Sequence, residues 1–211
     1  MNGEELVEAV RAERATELDR LGSEKALVAA TGAQLESGPV LSAAARLLDG
    51  GVDTLVAWGD GIDDDEGAQA VFGDAAERLA DRRDALLDLD DDASAGGDVP
   101  YVVDELRTAE RTPERVAAGF VAFPLVAERL LLQVINFLVN EGVRSGADTV
   151  REARSDLQSM PDDAADLLDD VCADDGDWVT AQQAATAAIG TAYDEYAERL
   201  EEMGLDPKPV C

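Results

Sequence analysis

The sequence predicts an all-α bundle of about six to eight helices, organised around one long apolar helix. The first observation is the stretch Arg115–Val143, RVAAGFVAFPLVAERLLLQVINFLVNEGV, which holds only four charged residues in a chain of net charge −30. A helix that is apolar on nearly every side must be surrounded by other helices. The other segments repeat apolar residues at helical spacing between capping signals. No segment alternates convincingly as a strand, and Val99–Val103 is only a weak candidate.

The length of 211 residues fits one domain with a sizeable core, so we expect a single all-α domain over residues 1–211. Its first part is an N-terminal helical segment, residues 1–32. Asn2 and Glu5 have the spacing of a capping box, which predicts a helix start. Gly22-Ser23 should interrupt this segment, and Thr31-Gly32 should end it.

A core of residues 36–203 follows, and its first half predicts a helical pair over 37–60 and 66–90. Gly50-Gly51, inside the first of these helices, predicts a close helix–helix contact or a kink. The acidic loop Gly59–Glu66 between the two helices lacks the ligand spacing of an EF-hand calcium loop. Loop 90–98 then leads to a short helix that begins at Pro100.

Thr112-Pro113-Glu114 should start the central helix, 113–142. Pro124 should kink it near Gly119–Ala122. Two further helices are expected on either side of Pro161. Asp177 should cap a last helix, 177–203, before an extended tail over 204–211.

The charge composition predicts an environment. Asp and Glu number 47 against 17 Lys and Arg, and the pI is near 4.1, yet 46% of the residues are hydrophobic. Such a surface repels itself in dilute buffer, whereas at about 1 M salt the Debye length falls to about 3 Å. We therefore expect a cytoplasmic protein of a salt-in halophilic archaeon, with salt cations at its surface; an ordinary acidic protein is the alternative.

Several classes of site are excluded or disfavoured. The chain has no His, which removes the usual general base and the commonest metal ligand. Cys172 and Cys211 form no CxxC pair, and we expect two reduced thiols, with a disulfide as the alternative. The N-terminus lacks the pattern of a signal peptide, and the uncharged run Val116–Ala127 is too short to span a membrane.

Three groups of arginines recur at helical spacing, namely Arg107, Arg111 and Arg115; Arg11 and Arg14; and Arg151 and Arg154. They suggest either a phosphate-contacting patch or salt pairing with Glu105, Glu110 and Glu114. The net charge favours salt pairing, so no direct nucleic-acid binding is expected.

Glu128 and Arg129 interrupt the most apolar stretch, and a polar strip of Gln133, Asn136 and Asn140 continues from them. Charges at such a position must pair or face a polar cavity. The strip is either a buried structural network, the solvent-facing edge of the helix, or part of a carboxylate metal site.

The order of these helices resembles that of the ferritin-like and rubrerythrin-related bundle, and specifically a divergent haloarchaeal branch of it. The ending DWVTAQQAATAAIGTAYDEYAERLEEMGLDPKPVC carries most of the resemblance. Relatives of this kind are labelled either rubrerythrin family or transcription antitermination protein.

The resemblance implies a degraded di-iron site. The family uses one Glu from each of two helices and a Glu-x-x-His from each of the other two. These positions fall near Asp49 and Glu128, on Asp81-Arg82-Arg83-Asp84, and on Glu195-Tyr196-Ala197-Glu198. Both histidines are absent, so no metal, cofactor or catalytic residue is expected. Arg82 and Arg83 are expected to replace the metal charge by pairing with Glu128 or its neighbours.

The resulting expectation is a non-catalytic bundle that acts through a protein partner or as a homodimer, with Gly50-Gly51 or the surroundings of Phe120 and Phe123 as the contact face. One alternative is a metal-binding or oxidoreductase protein that keeps iron or manganese on carboxylates only. Another is a transcription-associated factor, which only the label of the relatives suggests.

Overall fold

A computed structural model describes residues 1–61 and 66–208, and this part of the chain folds into nine helices without a strand. The helices are α1 (Gly3–Glu13), α2 (Ala15–Leu21), α3 (Lys25–Thr31), α4 (Ser37–Asp60), α5 (Glu66–Leu87), α6 (Tyr101–Leu106), α7 (Thr112–Asn140), α8 (Arg144–Val171) and α9 (Asp175–Glu202). The all-α prediction is confirmed. Val99–Val103, the weak strand candidate, overlaps the start of α6. Residues 62–65 of the acidic loop, and Cys211, lie outside the described residues.

The central apolar helix is confirmed as α7. The uncharged run Val116–Ala127 alone is too short to span a membrane, but the whole helix is long and apolar enough by composition; 83% of its most apolar window is buried within the fold, as in the core helix of a soluble protein. Two antiparallel pairs, α4–α5 and α7–α8, make the most extensive contacts in the molecule. Helix α9 packs along α6 and the first half of α7, and α1 packs against α8 and α9.

The N-terminal capping box is present as predicted. The Asn2 side chain accepts the Glu5 N–H at 2.8 Å, and Glu5 accepts the Asn2 N–H at 3.1 Å. The predicted interruption at Gly22-Ser23 separates α2 from α3. An additional break at Arg14, between α1 and α2, was not predicted.

The predicted irregularity of the central helix is confirmed as a π-helical turn over Ala117–Ala122. This wider turn lies just before Pro124, which has no N–H to donate to the preceding turn. A Cβ at Gly119, within the turn, would lie 2.7 Å from the Trp58 ring. The absence of a side chain at Gly119 therefore allows α7 to approach Trp58 on α4 closely.

Gly50 and Gly51 make the close contact that the sequence predicted, but not a dimerisation face. Cβ atoms there would lie 2.6 Å from Val103 and 2.5 Å from the Phe123 ring, respectively. Phe120 and Phe123 are themselves 3% and 1% exposed. The proposed contact faces are wrong because these residues form the core of the monomer.

Pro161 does not separate two helices, because α8 continues through it from Arg144 to Val171. A proline inside a helix costs about 3 kcal/mol. Here Leu157, Met160, Ala164 and Leu168 are all buried on the same face, so packing on both sides of the proline holds the helix together.

The cap of α9 is Asp174 and not Asp177. The Asp174 carboxylate accepts the N–H groups of Gly176 and Asp177, which satisfies the first turn. Asp177 lies inside the helix and is buried. Its negative charge near the helix start is favourable there as well.

Candidate functional site

The acids expected at the degenerate metal positions do not converge on one centre. Asp49 and Asp84 lie on either side of Arg83, whose guanidinium approaches Asp49 Oδ1 at 2.6 Å and Asp84 Oδ1 at 2.8 Å. Hydrogen bonding to Asp49 raises the pKa of Arg83. A protein cation is thus already bound to two of the six acids that the sequence singled out.

Arg82 joins α5 to α8 and does not approach Glu128. Its Nε donates to Asp156 Oδ2 at 2.6 Å, and its Nη1 lies 3.3 Å from Glu152 Oε2. The hydrogen bond to Asp156 raises the pKa of Arg82. Asp81, on the same turn of α5, is exposed.

Glu128 is buried in an ion pair with other arginines. Arg154 on α8 binds its Oε2 through Nη2 at 2.8 Å and Nε at 3.0 Å, and Arg129 Nε lies 2.9 Å from its Oε1. Arg82 and Arg83 were predicted to pair with Glu128 or its neighbours; neither pairs with Glu128, whereas Arg83 pairs with Asp49 and Asp84. Arg154 reaches Glu128 because α8 packs antiparallel against α7. Arg82 and Arg83 lie on α5, which contacts a different side of α8.

The polar strip that follows Glu128 divides between core and surface. Gln133 is buried and donates to the Gly22 carbonyl at 2.5 Å, which ties α7 to the turn between α2 and α3. Asn136 and Asn140 are exposed. The strip begins as a buried structural network and ends as the solvent-facing edge of the helix.

The arginines of the suspected phosphate patches mostly meet acids of their own chain. Arg107 pairs with Asp104, Arg111 with Asp177, and Arg115 donates to the Ala109 carbonyl. In the other two groups, Arg14 pairs with Glu17, Arg151 with Asp148 and Arg154 with Glu128. The pairing is as expected, but the partners are not the predicted Glu105, Glu110 and Glu114.

Asp177 and Cys172 lie close together at the α8–α9 junction. The Asp177 carboxylate accepts the Ala173 N–H at 2.9 Å and binds Arg111, and these contacts lower the pKa of Asp177. Burial raises the pKa of the Cys172 thiol to about 11, so the thiol is protonated at neutral pH.

Glu195 and Glu198 lie at a different place from the other acids, on α9. Glu195 accepts the Tyr101 N–H at 2.8 Å and lies 3.5 Å from Arg199. Burial raises the pKa of Glu195. Glu198 is exposed beside the Tyr101 phenol, whose pKa it raises. Within residues 1–61 and 66–208, no three acidic or sulfur ligands group closely enough to hold a metal ion.

A cleft of about 590 Å³ lies beside Glu195. It is formed by α3, α4, α6, α7 and α9, and its lining is partly apolar and partly polar. We call the buried apolar residues of the lining, Leu47, Val102 and Val126 among them, the apolar wall. The volume is within the range of about 300–1,000 Å³ that is common for small-molecule sites. We call this cavity the α4–α9 cleft.

Arg46 is the notable polar residue of the α4–α9 cleft. It is half-buried, and its Nε is shielded from solvent without a hydrogen-bond partner among the described residues. Arg46 forms no hydrogen bond and no ion pair with any residue that the structure describes. Sequence analysis missed it, although Arg46 is the single charged residue in the run Val40–Leu48. A single charge within an apolar run was the sequence signal that could have identified Arg46.

Comparison of the chain with protein-family models, with curated proteins and with solved structures finds no match.

Proposed function

We propose that the protein is a non-catalytic, ferritin-like bundle of a halophilic cytoplasm that acts through contact with a protein partner. The observation that carries this proposal is that arginines of the chain itself bind acids at the expected metal positions. Arg83 binds Asp49 and Asp84, and Arg154 binds Glu128. These residues supply structural ion pairs in place of a reactive centre.

The ion pairs argue against a carboxylate-only metal site. A divalent ion beside Asp49 would have to displace a guanidinium that already lies 2.6 Å away. A divalent ion beside the buried Glu128 would likewise have to displace Arg129 and Arg154, which compensate its charge. Displacing the arginines would leave cations without partners inside the bundle, which is costly.

Exposed apolar residues favour a protein partner near the α4–α9 cleft. Met203 lines the cleft, and four more exposed residues lie within two positions of residues that line it. These five residues, which we call the cleft mouth, are Leu35, Val99, Tyr101, Met203 and Leu205. Exposed apolar residues beside a cavity are typical of contact surfaces.

The charge of the chain supports the halophilic environment. With 47 acidic residues against 17 basic ones, the surface carries a large excess of negative charge. Many of the arginines pair with acids of the chain, and the remaining acids supply the excess negative charge. Concentrated salt would screen this repulsion, and cations would accumulate at the surface.

The test is copurification in concentrated KCl from the native cytoplasm. The tagged wild-type chain is compared with a cleft-mouth variant, Leu35→Ser with Met203→Ser, and with a control, Val56→Ser with Val179→Ser, which changes exposed residues elsewhere. We expect a stoichiometric partner with the wild type and the control, and its loss with the cleft-mouth variant. Equal retention by all three chains, or no stoichiometric partner, would contradict the proposal. Light scattering of the purified wild type identifies a second copy of the chain if that is the partner.

A further inference from the structure

We propose that the α4–α9 cleft binds a small apolar molecule bearing one carboxylate, and that Arg46 binds the carboxylate. This inference goes beyond the proposed function, because it concerns a free organic acid inside the cleft and not a protein at its mouth. It rests on the unpaired cation, the apolar wall and the charge distribution around them.

The first step is that Arg46 lacks a partner in a chain with a large excess of acid. Its Nε is buried without an acceptor, and no carboxylate lies within ion-pair distance among the described residues. The other arginines without an ion pair there are either exposed or bonded to a neutral oxygen: Arg11, Arg20, Arg78, Arg115 and Arg144. Among the described residues, Arg46 is thus the half-buried arginine that has neither an ion pair nor a hydrogen bond.

The second step is that the loop before α6 holds Arg46 in position. Gly97 has φ +131°, a backbone conformation that favours glycine, and a Cβ there would lie 3.0 Å from Arg46 Cζ. The loop backbone therefore lies directly against the guanidinium. Ser94 N–H also donates to Ser42 Oγ at 2.9 Å, which fastens the loop to α4. A cation held in this way loses little conformational entropy when it binds an anion.

The third step is that the neighbouring acid is already occupied. Glu195, which also lines the cleft, accepts the Tyr101 N–H and pairs with Arg199. It therefore does not neutralise Arg46. A guanidinium presents parallel N–H donors that match the two oxygens of a carboxylate.

The fourth step selects a monoanion with an apolar body. The apolar wall forms one part of the lining, whereas Asp92, Asp98 and Glu202, which also line the cleft, are exposed rim acids. These rim acids repel a doubly charged phosphate more strongly than a singly charged carboxylate. The apolar wall, in turn, favours a hydrocarbon body over a polar metabolite.

The experiment measures binding of decanoate, decan-1-ol and decylammonium by calorimetry in buffered KCl. The three probes share an alkyl chain and differ in the head group. We expect decanoate to bind the wild type at least about tenfold more tightly than the other two, which corresponds to about 1.4 kcal/mol. Arg46→Gln should abolish this preference, and Arg144→Gln, at an exposed unpaired arginine, should retain it.

The result that would overturn the proposal is equal binding of decanoate and decan-1-ol to the wild type, or no binding of either. Retention of the preference by Arg46→Gln would overturn the role of Arg46. The wild-type comparison does not depend on the folding of any variant, and circular dichroism checks the two substitutions. None of these outcomes affects the copurification test, so failure of the two proposals is distinguishable.

Discussion

Replacing Arg154 with Met should destabilise the fold strongly, because it removes the main compensation of a buried charge. The Glu128 side chain is only 7% exposed, and two nitrogens of Arg154 approach its Oε2 at 2.8 and 3.0 Å. Arg154 Nε also lies 3.2 Å from the Glu128 carbonyl. After the substitution only Arg129 remains, and its Nε lies 2.9 Å from Oε1 without making a hydrogen bond.

The expected loss in the free energy of unfolding is about 3 kcal/mol. Removing one partner of a buried pair typically costs about 3–5 kcal/mol. The lower value applies because Arg129 still supplies a neighbouring positive charge. Met keeps most of the aliphatic volume of Arg154, so the loss reports the charge and its hydrogen bonds more than packing.

The assay is urea unfolding in concentrated KCl, with Arg151→Met as the matched control. Arg151 lies one turn away on α8 and pairs with Asp148, but the two side chains are 50% and 71% exposed. Such exposed pairs contribute about 0–1 kcal/mol. The double variant Glu128→Gln with Arg154→Met should recover at least about 1 kcal/mol of the loss. Equal stability of the Arg154 and Arg151 variants would refute the buried-pair account.

Two further predictions follow from the same contacts. Gly51→Ala should destabilise the protein by about 1–3 kcal/mol through overpacking. Gly73→Ala should instead stabilise it by about 0.5–1 kcal/mol, because a Cβ at Gly73 meets no atom within 4 Å. Thermal unfolding in which both variants shift the melting temperature in the same direction would contradict this. The lowered pKa of Asp177 means that its contribution to stability is present above the ordinary carboxyl range and lost as pH falls through the lower, folded-state value. The wild type should therefore lose its stability advantage over Asp177→Asn in acid unfolding below about pH 4, and a constant difference down to pH 2 would count against this assignment.

The features that sequence reasoning predicted correctly depend on local signals. The Asn2–Glu5 capping box involves residues three apart, and the irregular turn before Pro124 follows from one missing N–H. The burial of α7 follows from its composition alone. None of these features needs knowledge of a distant segment.

The errors concern choices that tertiary packing decides. Pro161 would end an isolated helix, but buried neighbours on both sides keep α8 continuous. The sequence offers both Asp174 and Asp177 as caps, and the contact of Asp177 with Arg111, the residue that precedes α7, distinguishes them. Local propensity is outweighed by burial in both places.

The partners of the buried charges were unpredictable for a related reason. The sequence indicated that Glu128 must be compensated, but the choice among Arg82, Arg83 and Arg154 depends on which helix packs against α7. Arg46 was missed because its surroundings come from segments far apart in the chain, including the loop at Gly97 and Glu195 on α9. Unsatisfied polar atoms become visible only when all neighbours are known.

The central proposal is that arginines of the chain occupy the places where a ferritin-like bundle would hold metal ions. Elemental analysis tests it most directly, on protein purified without chelator from cells grown with added iron and manganese. The account predicts far less than one metal ion per chain, unchanged by Asp49→Asn. One or two equivalents of iron or manganese that disappear with Asp49→Asn and Glu128→Gln would contradict it.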